Sequence, residues 1–232
     1  MRGTNAVRPI RPVIAVAVCL MAGCAGMSGW KPSFFAGPSP TEQTAYGTTA
    51  DQRIEALAAA AKRAEAASSA ERVEFTRQLV RDMLEEHDSR VRCAILDAAA
   101  RFDTPSALAI CRGALEDPDE RVRMAACTAW RRRGGPEAVE LLGARFHADA
   151  EMDVRLRAIR ELGDLGDKEA IPVLARALED PDPAVQYRAV GALKRVSGRD
   201  LGDDVNAWRK WAANPDADAV KWSIAEGFRQ LF

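Results

Sequence analysis

The sequence predicts an all-α fold, an α-solenoid of about four helix pairs with a C-terminal helical cap. Three observations lead there. Valines at Val91, Val122, Val154 and Val185 recur at intervals of 31, 32 and 31 residues. Each is followed at fixed offsets by apolar residues at helical spacing, and one such unit cannot bury its stripe without a neighbour. The composition, 47% hydrophobic and 29% charged with only 6% aromatic, suits a globular chain, and the Val, Thr and Tyr runs that mark strands are missing.

Within a unit, each position has a physical reason. Taking the valine as zero, acids stand three places before it (Asp88, Asp119, Glu151, Asp182) and five before it (Glu86, Asp117, Asp149, Asp180). Acids ahead of a helix accept its unpaired first N–H groups and favour the positive end of its dipole. Apolar residues follow at five (Leu96, Cys127, Ile159, Val190) and eight (Ala99, Trp130, Leu162, Leu193), completing one buried stripe. After a break such as "FDTPS" or "RGGPE", a second helix starts with alanine at sixteen (Ala107, Ala138, Ala170), a residue small enough for close helix approach. The hexapeptide "ALEDPD", present at Ala114–Asp119 and again at Ala177–Asp182, is the joint between units. Its leucine ends a second helix in the core, and its last aspartate caps the next first helix.

Upstream, "DQRIEALAAAAKRAEAA" reads as a degenerate first helix. "SSAERVEFTRQLVRDMLEE" reads as a second helix opened by a Ser68–Glu71 capping box. Leu84 is expected to hold the core place of Leu115. Terminal units are atypical because one face meets solvent. The repeat region spans 51–198. From 199 to 232 the pattern changes: Gly198 ends the last repeat helix, Asp204 caps another, and Trp208 and Trp211 lie three apart on one face. A final helix from about Asp218 offers Val220, Ile224, Phe228 and Leu231, to dock on the solenoid or to bind a partner.

The first residues do not belong to the core. "MRGTNAVRPIRPVIAVAVCLMAGC" sets Arg2, Arg8 and Arg11 before an apolar run from Val13 to Ala22, the layout of an export signal over 1–23. The run is too short for a membrane span, which needs about 20 residues. Its ending, "LMAGC", resembles the lipobox of bacterial lipoproteins. That resemblance implies acylation at Cys24, loss of three arginines and no acid, and a mature chain of formal charge −4 instead of −1. The mature protein is then expected to face the periplasm from a membrane, held by its lipid. Ala25 in place of the aspartate of the inner-membrane retention rule leans towards the outer membrane. Residues 24–50 read as a flexible tether rich in Gly, Pro, Ser and Thr. The charge balance gives no electrostatic footprint for nucleic acid.

The run "ADAEMDVRLRAIRELGDLGDKEAIPVLARALEDPDPAVQYRAVGAL" resembles the HEAT repeats, specifically the short bacterial HEAT-like type named from phycobilisome lyases. The resemblance covers about 88–198 and, less clearly, 51–87. It implies a scaffold that binds another protein of the cell envelope, with no chemistry or cofactor of its own. It also implies that the arginines one past the valine (Arg92, Arg123, Arg155) form a ladder with acids of the same or next repeat; a groove lined by them for an acidic partner is the alternative. The Gly, Asp and paired-Trp ending is similar to tails that follow HEAT-like repeats elsewhere and implies a lid on the last repeat.

An enzymatic alternative, a lyase-like or hydroxylase-like protein or an accessory subunit, is disfavoured. The HEAT-like hydroxylases use repeated His-Glu pairs, and neither His87 nor His147 forms one. Paired acids abound, but as caps, and no metal site is expected. Cys19 leaves with the signal. Cys93, Cys111 and Cys127 fall at positions read as core, either as thiols standing in for larger apolar residues or with Cys111 and Cys127 as a disulfide in an oxidising compartment. "RRR" at Arg131–Arg133 suits a helix C-terminus, with a docking patch as the lesser reading.

Overall fold

A computed structural model describes residues 48–215 of the chain. The signal segment, Cys24, nearly all of the tether and the helix expected from Asp218 lie outside the described residues. Among the described residues every regular element is helical. The first pair is α1 (Ala50–Glu65) and α2 (Ser69–Glu85). Next come α3 (Ser89–Ala99) with α4 (Pro105–Gly113), the latter tightened by a 3-10 turn at Ala114–Glu116. Then follow α5 (Glu120–Arg133) with α6 (Gly135–Ala148), and α7 (Met152–Leu165) with α8 (Ile171–Ala177), led in by a 3-10 turn at Lys168–Ala170. The series ends in α9 (Pro183–Ser197) and α10 (Val205–Ala212).

The first helices of the pairs (α1, α3, α5, α7, α9) stack on one another in one layer, more closely than the second helices stack in theirs. Small residues permit the approach. A Cβ added to Gly163 of α7 would stand 2.7 Å from both Cα and Cβ of Ala192 on α9. The four period-defining valines and the +16 alanines are all buried. In the first pair Thr76 occupies the place of those alanines. It too is buried, and its hydroxyl bonds to the Arg72 carbonyl at 3.0 Å and accepts from the Thr104 hydroxyl at 2.8 Å. A threonine fits there only because its one polar atom is fully satisfied.

Capping follows the expected positions with one exception. Asp88, Asp119, Asp182 and Asp204 accept the backbone N–H two residues on, at 2.7–2.9 Å. The Ser68–Glu71 capping box is complete, and Gly198 ends α9 in the left-handed conformation at φ 68°. Glu151 stands at the cap of α7 but makes no side-chain cap bond; its extra methylene carries the carboxylate past the first-turn amides.

Leu84 corrects the expected register. It is 80% exposed, whereas Leu115 is 4% exposed. The cause is local. After Gly113 the chain tightens into a 3-10 turn that tucks Leu115 inward. By contrast, α2 remains α-helical to Glu85, so Met83 packs on the core and Leu84 rotates outward.

Candidate functional site

The most regular polar feature is a ladder running through the joints between repeats. Arg92 grips Asp117 with two parallel bonds, Nε to Oδ2 at 2.9 Å and Nη2 to Oδ1 at 2.8 Å. Its Nη1 donates to the carbonyls of Glu86 and His87 in the preceding joint. Arg123 repeats this with Asp149, both bonds 2.9 Å, and with the carbonyls of Asp117 and Pro118. Arg155 reaches Asp180, donates to the Phe146 carbonyl and lies 5.4 Å over the Phe146 ring. In the fourth unit Gln186 replaces arginine and its amide donates to the Asp180 carbonyl at 2.7 Å.

Each arginine therefore joins its own joint to the next, and the acid five before the valine is the receiving group. That acid also accepts the N–H of the capping residue, at 2.8–3.0 Å in all four joints. The −5 acids therefore do not take the first helical N–H groups, as the sequence suggested for them; they hold the capping residue and receive the ladder. Fork-on-carboxylate geometry is the strong form of this interaction. Asp149 is 1% exposed at its side chain and Arg123 13%. Burial works against ionising Asp149, but the bonds from Arg123, the Glu151 amide and Arg145 outweigh it and hold its carboxyl below the usual range. The hydrogen bond to Asp149 correspondingly raises Arg123. Arg92 and Arg123 place the nitrogen donors Nε, Nη1 and Nη2 on groups of the fold, and Arg155 places Nε and Nη2 there, an arrangement that favours the ladder over a groove for an acidic partner.

Two parts of this network escaped the sequence. Arg53 of α1 bonds to Glu86 at 2.6 Å and forms the first rung; the clue was the −5 acid Glu86, which had no arginine assigned to it. Glu161, 3% exposed on α7, accepts from Thr128 at 2.9 Å and from Arg131 at 2.6 Å. Arg132 pairs with Asp97 and Arg133 with Asp103, so all three residues of the "RRR" run are tied down within the fold.

Trp208 and Trp211 meet edge to face, centroids 5.5 Å apart, and both are buried. The Trp208 indole N–H donates to the Gly202 carbonyl at 2.9 Å, and Arg209 of the same helix donates to the Leu178 carbonyl at 2.6 Å. Helix α10 is thereby laid across α8 and α9. Cys93, Cys111 and Cys127 are free thiols, so the candidate Cys111–Cys127 disulfide is not formed. Both sulfurs fill core sites, and burial pushes the Cys127 thiol up to about 12 and Cys111 up as well, which withholds the thiolate that disulfide exchange needs. Cys93 is half-buried instead of core. Burial, with the nearby Arg176 and Arg155, lowers His147. Among the described residues no three His, Cys, Asp or Glu side chains gather into a metal site.

A concavity lies in the first pair, where α1 and α2 touch each other little while each packs on the next layer. Between them and α3 opens a groove of about 930 Å3. Leu57, Phe75, Leu79, Val91 and Ile95 line its apolar part, and Arg53, Arg63, Asp82, Glu85 and Glu86 its polar part. Sequence periodicity cannot reveal such a groove, because it is formed by the placement of three helices in space.

No curated protein matches the chain. A family profile for HEAT repeats matches two overlapping segments, residues 77–152 and 142–229, which together cover about two thirds of the sequence. Those segments contain the Arg92, Arg123 and Arg155 rungs, the joints and the paired tryptophans, and the chain belongs to the HEAT repeat family.

Proposed function

We propose that this protein is a lipid-anchored scaffold of the bacterial cell envelope, held at the membrane through Cys24 and binding another protein on its repeat surface. The observation that carries the binding role is the open groove of about 930 Å3 in the first pair. It is within the size range of sites that hold ligand groups, and it mixes an apolar lining with a few charges as such sites do. The internal saturation of the ladder supports the same reading, since the joints then serve to fix the array and the faces between them are left for contact. The anchor rests on "LMAGC" and the basic, apolar and small-residue order that precedes it. Diacylation with a further amide-linked chain supplies more than the two signals that stable anchoring takes.

The experiment pairs metabolic labelling with fractionation in a bacterial host. Wild type is expected to incorporate labelled palmitate and sediment with membranes, and Cys24→Ala to do neither. An unlabelled, soluble wild type would refute the anchor. Photo-crosslinkers placed at exposed positions of several repeats then test the scaffold: discrete crosslinked species from intact envelopes are expected, and none from any position would sink the binding role.

A further inference from the structure

We propose that the groove between α1 and α2 receives an amphipathic helix of a partner protein, its apolar face inserted and its flanking lysines or arginines set against Asp82 and Glu85. This deepens the scaffold reading and rests on it. The charges choose the occupant. Of the acids at the groove, Glu86 is engaged by Arg53 at 2.6 Å, and Asp88 is engaged by Arg90 at 3.0 Å and by its capping bond. Among the described residues the Asp82 carboxylate accepts only from the neutral Gln78 amide, at 2.7 Å. Glu85 pairs with no described residue and is exposed.

These two carboxylates sit in the last turn of α2, where the helix dipole is negative and acids are unfavourable. The other complete second helices place cations there: Arg112 on α4, Arg145 and His147 on α6, Arg176 on α8. Only α2 among these four ends without one. Cations from outside would complete α2 as the other helices complete themselves. Arg63, at the other end of the α1 lining, lies apart from them in sequence, so the acidic end by Asp82 and Glu85 is the part that selects cations.

Shape agrees with a helix. The lining runs from Arg53 to Arg63 on α1 and from Phe75 to Glu86 on α2, about 15 Å of helix, or about three turns of a partner lying alongside. Ala56 and Ala60, one turn apart on α1, leave the mouth open, and Leu57 and Phe75 stay half-buried below it. Three or four apolar side chains on one helical face are the complement of such a groove.

The test uses the full mature chain and two fluorescent helical peptides of about 14 residues, about 21 Å long. They share leucines at i, i+3, i+4 and i+7; one is flanked by lysines, its twin by glutamates. The lysine peptide is expected to bind about tenfold or more tighter than its twin, with a strong salt dependence. Asp82→Asn with Glu85→Lys should erase that preference. Ala56→Trp, at an exposed site that leaves the core intact, should abolish binding of both peptides with an unchanged melting temperature. Equal binding of the twins, or full binding to Ala56→Trp, would overturn the proposal. So would a wild-type dimer that Ala56→Trp converts to monomer, which would make a second copy the occupant. If the peptides fail while envelope crosslinks persist from other repeats, the groove proposal alone is lost; if every crosslink is lost, the scaffold reading falls with it.

Discussion

The middle of the array and its first pair use the same parts to opposite effect. Between α3 and α9, the Arg92 and Arg123 rungs are two-bond forks between side chains mostly hidden from water, Arg155 reaches Asp180 through one bond, and α7 meets α9 through Gly163 and Ala192. In the first pair the rung is a single Arg53–Glu86 contact with Arg53 39% exposed, a buried threonine replaces alanine, Leu84 faces water, and the helices part to leave a groove. A repeat array is stabilised by contacts between neighbouring units, so a pair whose helices leave a groove between them has slack. That slack is where a binding surface can form without weakening the stack.

The comparison is broken most directly at two leucines one period apart. Leu115→Ala is expected to lower unfolding free energy by about 2–4 kcal/mol, the range for emptying a buried leucine site. Leu84→Ala should stay within about 0.5 kcal/mol, as an exposed position does. Thermal and urea melts read both. Equal losses would mean that the two second helices end alike and that the 3-10 turn after Gly113 does not decide the register.

Next come the rungs. Arg123→Ala leaves Asp149 charged, 1% exposed and short of its fork. Breaking a buried pair costs about 3–5 kcal/mol, and Arg145, 3.2 Å from Asp149, limits the loss to the lower end. Arg53→Ala should cost about 1 kcal/mol or less, as exposed pairs do. The pH dependence separates a charge effect from a packing effect. Asp149 titrates lower folded than unfolded, so its contribution is complete above the unfolded value near 4 and is lost as pH falls through the folded value. The gap between wild type and Arg123→Ala should therefore be widest near neutrality and shrink below about pH 4. A gap constant from pH 7 to 3 would assign the loss to packing.

Much of this was legible from residues alone, and the reason is periodicity. The valines, the +16 alanines, the N-caps and Gly198 are local requirements of a helix or its ends, so each leaves a mark at a fixed position. The arginine ladder was half legible: recurrence named Arg92, Arg123 and Arg155, but their acceptors lie 25 or 26 residues on, and choosing among so many acids needs the stack itself. Arg53, Glu161 and the groove were not legible. Arg53 sits in a helix whose alanines blur the repeat. Glu161 interrupts an apolar stripe with a charge that Thr128, Arg131 and Arg157 together make tolerable. The groove depends on how α1, α2 and α3 are placed in space, which no residue type encodes.

The smallest effects concern how closely the two layers stack. Gly163→Ala puts a methyl 2.7 Å from the Ala192 backbone and from the Arg195 guanidinium. The guanidinium can swing away, but the backbone must move, at about 1–2 kcal/mol for overpacking of this kind. Gly113 is the contrast: it is exposed, ends α4 with helical dihedrals, φ −60° and ψ −36°, and a Cβ there meets nothing within 4 Å. Gly113→Ala should therefore stabilise by about 0.5 kcal/mol, chiefly by stiffening the unfolded chain. Opposite signs for two identical substitutions would confirm that the α7–α9 contact admits no added methyl whereas the end of α4 has room for one; a loss at Gly113 as well would mean that the turn after α4 needs a glycine for its conformation.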